Sequence, residues 1–144
     1  MLLLLPVLFL EAQSNETIDR FLDGDKADLG TTALFIYQAS GALDDEATVQ
    51  KALDHLLASS IGKRYRDKEA DSPIEYREYA HIIMNELELP GGFMYSWTKL
   101  PRYAARELTS RRWMPGKLHP GAELTPWEVM TSLAEILAWL EENQ

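Results

Sequence analysis

The chain has 144 residues, a net charge of −9 and no cysteine. Its length fits one domain or a small set of repeats with a shared core, and 46% hydrophobic against 26% charged residues excludes a disordered chain. The acidic balance argues against nucleic-acid binding, which needs a basic face for the phosphates, and the missing thiols exclude disulfides, thiolate metal sites and lipidated cysteines.

The first stretch, "MLLLLPVLFLEAQSNE", opens with an unbroken apolar run from Leu2 to Leu10. The run is too short to span a bilayer as a helix. It matches the apolar core of a secretory signal, with Leu10-Glu11-Ala12 as the cleavage site. No Lys or Arg precedes it, so a buried N-terminal strand or helix is the rival reading. The expectation is a signal peptide over 1–12, an N-terminal segment over 13–27, and export to the periplasm or cell surface.

Next comes "DLGTTALFIYQAS", Asp28 to Ser40, a helix with Asp28 as its cap and a stop at Gly41. Asp44-Asp45-Glu46 opens a new segment, and acids suit the first turn of a helix. Val49, Leu53, Leu56 and Leu57 give it an apolar stripe, and Gly62 closes it. Ser72-Pro73-Ile74-Glu75 then reads as a capping box: Ser72 at the cap, Pro73 at the first helical position, Glu75 reaching back. Tyr76, Tyr79, Ala80, Ile83 and Leu87 follow on one face, ending at Pro90-Gly91-Gly92. Tyr103, Ala104 and Leu108 mark another helix, which fades before Pro115-Gly116. Thr125-Pro126-Trp127-Glu128 repeats the capping box, with Thr125 and Glu128 as its partners. The final stripe is Val129, Leu133, Ile136, Leu137 and Leu140. Nothing alternates with period two for long enough to make a strand.

The repeated opening belongs to a longer repeat. Ala52-Leu53 falls over Ala104-Ala105, Leu56 over Leu108 and Ile61 over Trp113. One extra residue in the loop brings Ser72 onto Thr125 and Ile83 onto Ile136. The expected fold is all-α, with tandem helix–loop–helix repeats packed around a shared helical core: a partial repeat over 28–43, then repeats over 44–92 and 93–144. A helix pair this short cannot bury its stripe alone, so the repeats should pack on one another.

This pattern resembles the S-layer homology (SLH) module. "KALDHLLASSIG" (51–62) and "YAARELTSRRWMPG" (103–116) are similar to its first helix, and "SPIEYREYA" (72–80) and "LTPWEVMTS" (124–132) to the opening of its second. The resemblance implies three central helices with loops radiating outward. It also implies a non-catalytic role: anchoring an exported protein to an anionic cell-wall polymer. The family's motif carries Arg directly after the capping Thr, and that Arg helps hold the anion. Here the position is Pro73, Pro126 and, in the partial repeat, Leu29, so the family's own contact is lost.

A replacement anion site is readable in two loops. Lys63, Arg64 and Arg66 follow one first helix; Arg111, Arg112 and Lys117 follow the next, with Tyr65 and Trp113 among them. Arg pairs two-pronged with a carboxylate, and a ring stacks on a sugar face. The rival reading is that these cations serve helix C-termini and Trp113 fills the core, since it aligns with Ile61. His55, His81 and His119 have no partners at metal-ligand spacing, so no metal or cofactor is expected. Ser60-Ile61-Gly62-Lys63 matches S-x-x-K but lacks its companion motifs. "DGDKAD" (23–28) resembles a calcium loop, yet Ala27 and Leu34 stand where oxygen ligands belong.

Two functions compete. Binding of cell-wall polysaccharide or peptidoglycan predicts that Arg64, Arg66, Arg111 and Arg112 line one groove. A protein–protein adaptor, with a protein partner or a second copy supplying the missing half-repeat, predicts an exposed apolar patch instead.

Overall fold

A computed structural model describes residues 15–116 and 118–143. The signal-peptide reading of 1–12 falls outside those residues. The fold is all-α, and among the described residues there is no strand, only two isolated bridges, Asp28 with Pro73 and Glu75 with Glu123. No helix among them is long and apolar enough to cross a membrane.

Residues 15–23 form α1, which the sequence reading left unassigned. Its Phe21 is buried edge-on against Phe35, with ring centroids 5.2 Å apart. Helix α2 (Leu29–Ser40) starts where expected: the Asp28 carboxylate accepts from the Thr31 N–H at 2.7 Å. Gly41 ends it in the left-handed conformation at φ 83°, a position that strains any side-chain-bearing residue.

Helix α3 (Val49–Ala58) starts later than the acidic run predicts. Thr48 is the cap, accepting from the Lys51 N–H at 3.1 Å. Asp44 instead closes the preceding turn by accepting from the Glu46 N–H. At the other end, Ser59 and not Gly62 terminates the helix. Gly62 opens a short 3-10 turn (Gly62–Tyr65) and lies so close to the Leu57 carbonyl that a Cβ would collide with it.

Helix α4 (Tyr76–Glu86) corrects the first capping box. Its cap is Glu75, not Ser72, and Glu78 reaches back to accept from the Glu75 N–H at 2.9 Å. The Ser72 hydroxyl accepts from the Glu69 N–H and closes a turn upstream. A short helix α5 (Phe93–Thr98) follows where Pro90-Gly91-Gly92 reads only as a break. Helix α6 (Pro101–Ser110) takes Pro at its first position, and α7 (Pro126–Glu142) carries the second capping box as read. Thr125 Oγ1 accepts from the Glu128 N–H at 3.2 Å, and Glu128 accepts from the Thr125 N–H at 2.8 Å.

The physical reason for the shifted cap is a ring of backbone hydrogen bonds. The Ala27 N–H donates to Leu124 C=O at 2.8 Å, Leu124 N–H to Ile74 C=O at 3.0 Å, and Ile74 N–H to Ala27 C=O at 2.9 Å. All three residues are fully buried. Each directly precedes a cap: Asp28 for α2, Glu75 for α4, Thr125 for α7. Ile74 is held in this extended ring, so α4 cannot start before it. Counted from the ring, Glu75 and not Ser72 matches Thr125, and the position after the cap is Leu29, Tyr76 and Pro126.

The core surrounds this ring. Ile36 and Ile83 are fully buried at matching places in α2 and α4, with Leu133 beside them from α7. Helix α3 packs on α2 and α6 packs on α4. Ala52 and Leu56 of α3, and Ala104 and Leu108 of α6, are the buried residues of those contacts.

Candidate functional site

The 3-10 turn, the first turn of α4 and the start of α6 meet around an open cavity of about 510 Å³. Arg64 and Tyr65 come from the 3-10 turn, Arg77 and Glu78 from α4, and Leu100, Pro101 and Arg102 from the start of α6. Each is placed by a local feature already described. Gly62 lets the chain turn tightly before Arg64. The Glu75 cap points Arg77 and Glu78 out from the first turn of α4. Pro101 at the first helical position directs Arg102 outward.

Three guanidiniums thus face one cavity. Arg77 Nε donates to Glu75 Oε2 at 2.8 Å, so one of the three is partly neutralised. Arg102 lies over the Tyr103 ring at 4.7 Å and donates to its hydroxyl at 2.9 Å. Among the described residues, neither Arg64 nor Arg102 has a carboxylate at ion-pair distance. The one acid in the lining, Glu78, is already engaged by Lys68 at 3.1 Å and by the Glu75 N–H. The local balance is positive within an acidic chain.

Behind the arginines lies a buried pair. The Tyr65 hydroxyl and His81 Nδ1 are 2.9 Å apart, and both side chains are closed to solvent. Burial, and then the Arg64 charge, lowers the His81 pKa to about 4. Burial, and then Glu78, pushes the Tyr65 phenol up. Both groups are therefore neutral at pH 7, and the back wall of the site adds no charge. The arrangement offers charge-assisted donors beside an apolar edge from Leu100 and Pro101. That chemistry suits a carboxylate or phosphate carried on a sugar or similar ring.

The residues picked out in the sequence do not gather here as a group. Of the first loop, Arg64 lines the cavity, while Lys63 and Arg66 are exposed beside it. The second loop does something else. Arg111 lies 5.1 Å over Trp113 and 5.9 Å over Trp139, and reaches Glu107 at 3.6 Å. Trp113 is 4% exposed and packs edge-on against Trp139, so it is a core residue and no sugar platform. Arg112 follows Arg111, the C-cap of α6, in the left-handed conformation at φ 59°. Lys117 lies outside the described residues. The expectation that Arg64, Arg66, Arg111 and Arg112 line one groove is thus corrected: Arg64 finds Arg77 and Arg102 instead. Those two escaped the sequence reading because they sit singly on helices, with no local cluster to mark them. Arg102 had a signal in Pro101, a first-position helix residue directly before it, whereas Arg77 reaches the second position of its helix only once the cap is Glu75.

Comparison with protein-family models, with curated proteins and with solved structures finds no match for this chain.

Proposed function

We propose that the chain is a non-catalytic, exported envelope module of SLH-like repeats that binds an anionic cell-wall glycan. The observation that carries this reading is the meeting of Arg64, Arg77 and Arg102 around one cavity with an apolar edge. A carboxylated or phosphorylated sugar presents two features at once, a planar or tetrahedral anion and an apolar ring face. Guanidinium forks engage the first and Leu100 with Pro101 the second. The family resemblance supports the same ligand class, with the anion held by a set of arginines other than the motif's own. The Tyr65–His81 pair supports it too, because a neutral back wall adds no negative charge to that of Glu78, which Lys68 already engages.

The test is co-sedimentation of the protein with purified cell-wall sacculi at low and moderate salt. Retention that falls with salt and with Arg64→Ala/Arg102→Ala supports the reading. Arg111→Ala/Arg112→Ala should leave retention unchanged, since Arg111 faces Trp113 and Glu107 and neither residue lines the cavity. A protein that stays in the supernatant, or retention indifferent to Arg64 and Arg102, overturns it.

The adaptor reading has an observation of its own. Phe93 and Trp97, 79% and 75% exposed, have ring centroids 6.1 Å apart, and Trp127 on α7 is 64% exposed. The same experiment separates the two readings, because an adaptor has no reason to follow the sacculi.

A further inference from the structure

We infer that α7 presents a docking face for a basic amphipathic helix of a partner protein. The argument starts at the ring of Ala27, Ile74 and Leu124, which gives α2, α4 and α7 a common origin. Counted from it, Tyr37, Met84 and Ala134 occupy the same place on the three helices. Tyr37 and Met84 are each 1% exposed, whereas Ala134 is exposed. Ala33 and Ala80 are fully buried, and their counterpart Met130 is only half-buried. Leu34 and His81 are buried, and their counterpart Thr131 is half-buried. At the level of Gly30, which lies against Val49 of α3, both Arg77 and Trp127 are exposed, so the difference begins one turn further along.

Packing explains the difference. On α2 this face is covered by α3: the Tyr37 and His55 rings meet at 4.5 Å. On α4 it is covered by α6, and the Tyr76 hydroxyl donates to the Ala105 carbonyl at 2.9 Å. No described helix packs on α7 in the corresponding way. Two of three equivalent faces therefore hold a helix, and the third is exposed at Trp127 and Ala134 among the described residues.

The two filled faces define the shape of the third occupant. Both α3 and α6 bury a small residue, Ala52 or Ala104, and a Leu one turn on, Leu56 or Leu108. Charge defines the rest. Helix α7 carries Glu128, Glu135, Glu141 and Glu142 and no Lys, Arg or His. Trp127, Ala134 and Glu141 recur at seven-residue intervals, so the open face runs from an aromatic through alanine to a carboxylate. Its occupant is a helix with an Ala-x-x-x-Leu stripe flanked by Lys or Arg. This inference does not depend on the proposed glycan binding, which uses the cavity between the 3-10 turn, α4 and the start of α6.

The chain supplies its own probe. The segment 99–112, "KLPRYAARELTSRR", contains α6 and carries five cations against one carboxylate. A fluorescein-labelled peptide of that sequence is titrated with the full chain, and fluorescence anisotropy is read. The expected result is saturable binding that weakens at least tenfold in Ala134→Arg and tightens at low salt. Ala134 is exposed, so Ala134→Arg should keep its circular dichroism and melting temperature. Should it fail to fold, Trp127→Ala carries the same test. Peptide binding unaffected by both changes, or no binding at all, overturns the inference. Self-association of the unmodified chain in sedimentation velocity, abolished by Ala134→Arg, would also overturn it, because a second copy would then be the occupant.

Discussion

The Tyr79 hydroxyl donates to Ser132 Oγ at 2.8 Å, where α4 meets α7 and neither residue reaches solvent. This contact ties two segments that also meet at the backbone ring, and it does so through side chains. Its two ends are not equivalent. Ser132 lies inside a helix and can turn to its own preceding backbone carbonyl if the phenol is removed. Tyr79 has no such alternative. Ser132→Ala should therefore cost about 1–3 kcal/mol, the penalty of an orphaned buried hydroxyl, and Tyr79→Phe only about 1 kcal/mol. Urea unfolding of both single variants and the double variant measures this. The double variant should lose less than the two singles together.

His81 makes stability depend on pH. Its folded pKa, about 4, lies below the ordinary histidine value of 6.5. The unfolded chain therefore binds the proton first. The contribution is complete above pH 6.5 and is lost as the pH falls from there toward 4. A shift of this size corresponds to about 3 kcal/mol. Unfolding midpoints measured from pH 7 to 4 should fall in the unmodified protein. In His81→Gln the slope between pH 6.5 and 4 should be shallower.

Thr32 Oγ1 is buried without a hydrogen-bond partner. Counted from the ring, its counterparts are Tyr79 and Val129, and Val129 is fully buried with no polar atom on its side chain. The fold thus already accepts valine at this level of the core. Thr32→Val keeps the shape and removes an unpaired polar atom, so it should raise stability by about 1 kcal/mol. Thermal denaturation would show it as an increase of a few degrees.

Gly62 has the opposite expectation. Its backbone lies against Leu57 C=O, and a methyl group there meets backbone and not a movable side chain. Gly62→Ala should cost about 2–3 kcal/mol. Because the 3-10 turn carries Arg64, the same change should weaken glycan retention at temperatures where the protein is still folded.

Local chemistry determined what the sequence could reveal. The caps at Asp28 and Thr125 were legible because each hydroxyl or carboxylate acts within its own turn. The match of Ala52 with Ala104 was legible because both lie on a strong apolar stripe. At Ser72 the sequence offers two overlapping boxes, "SPIE" and "EYRE", and nothing local separates them. The choice falls to Ile74, whose place in the ring is set by Ala27 and Leu124. Helix α5 was hidden because two glycines and a proline precede it, and six residues show little periodicity. The candidate site was half legible. Arg64 stood in a visible basic run, but Arg77 and Arg102 become its neighbours only when α4 and α6 pack. Arg111 stood in an equally visible run and turned to Trp113, because the alignment of Trp113 with Ile61 reflected a core position.

The hydrogen-bond ring also bears on how the chain reaches its folded state. Its three members come from distant parts of the sequence, and each supplies one donor and one acceptor. No pair closes by local zippering, and a ring with one member absent leaves two backbone groups unpaired in a dry interior. The helices can flicker in and out early, but the core becomes fixed only when both ends of the chain have met. Folding should therefore be slower than for a bundle of sequential hairpins, and no single helix pair should persist when excised. A chain written as repeats is, at its centre, indivisible.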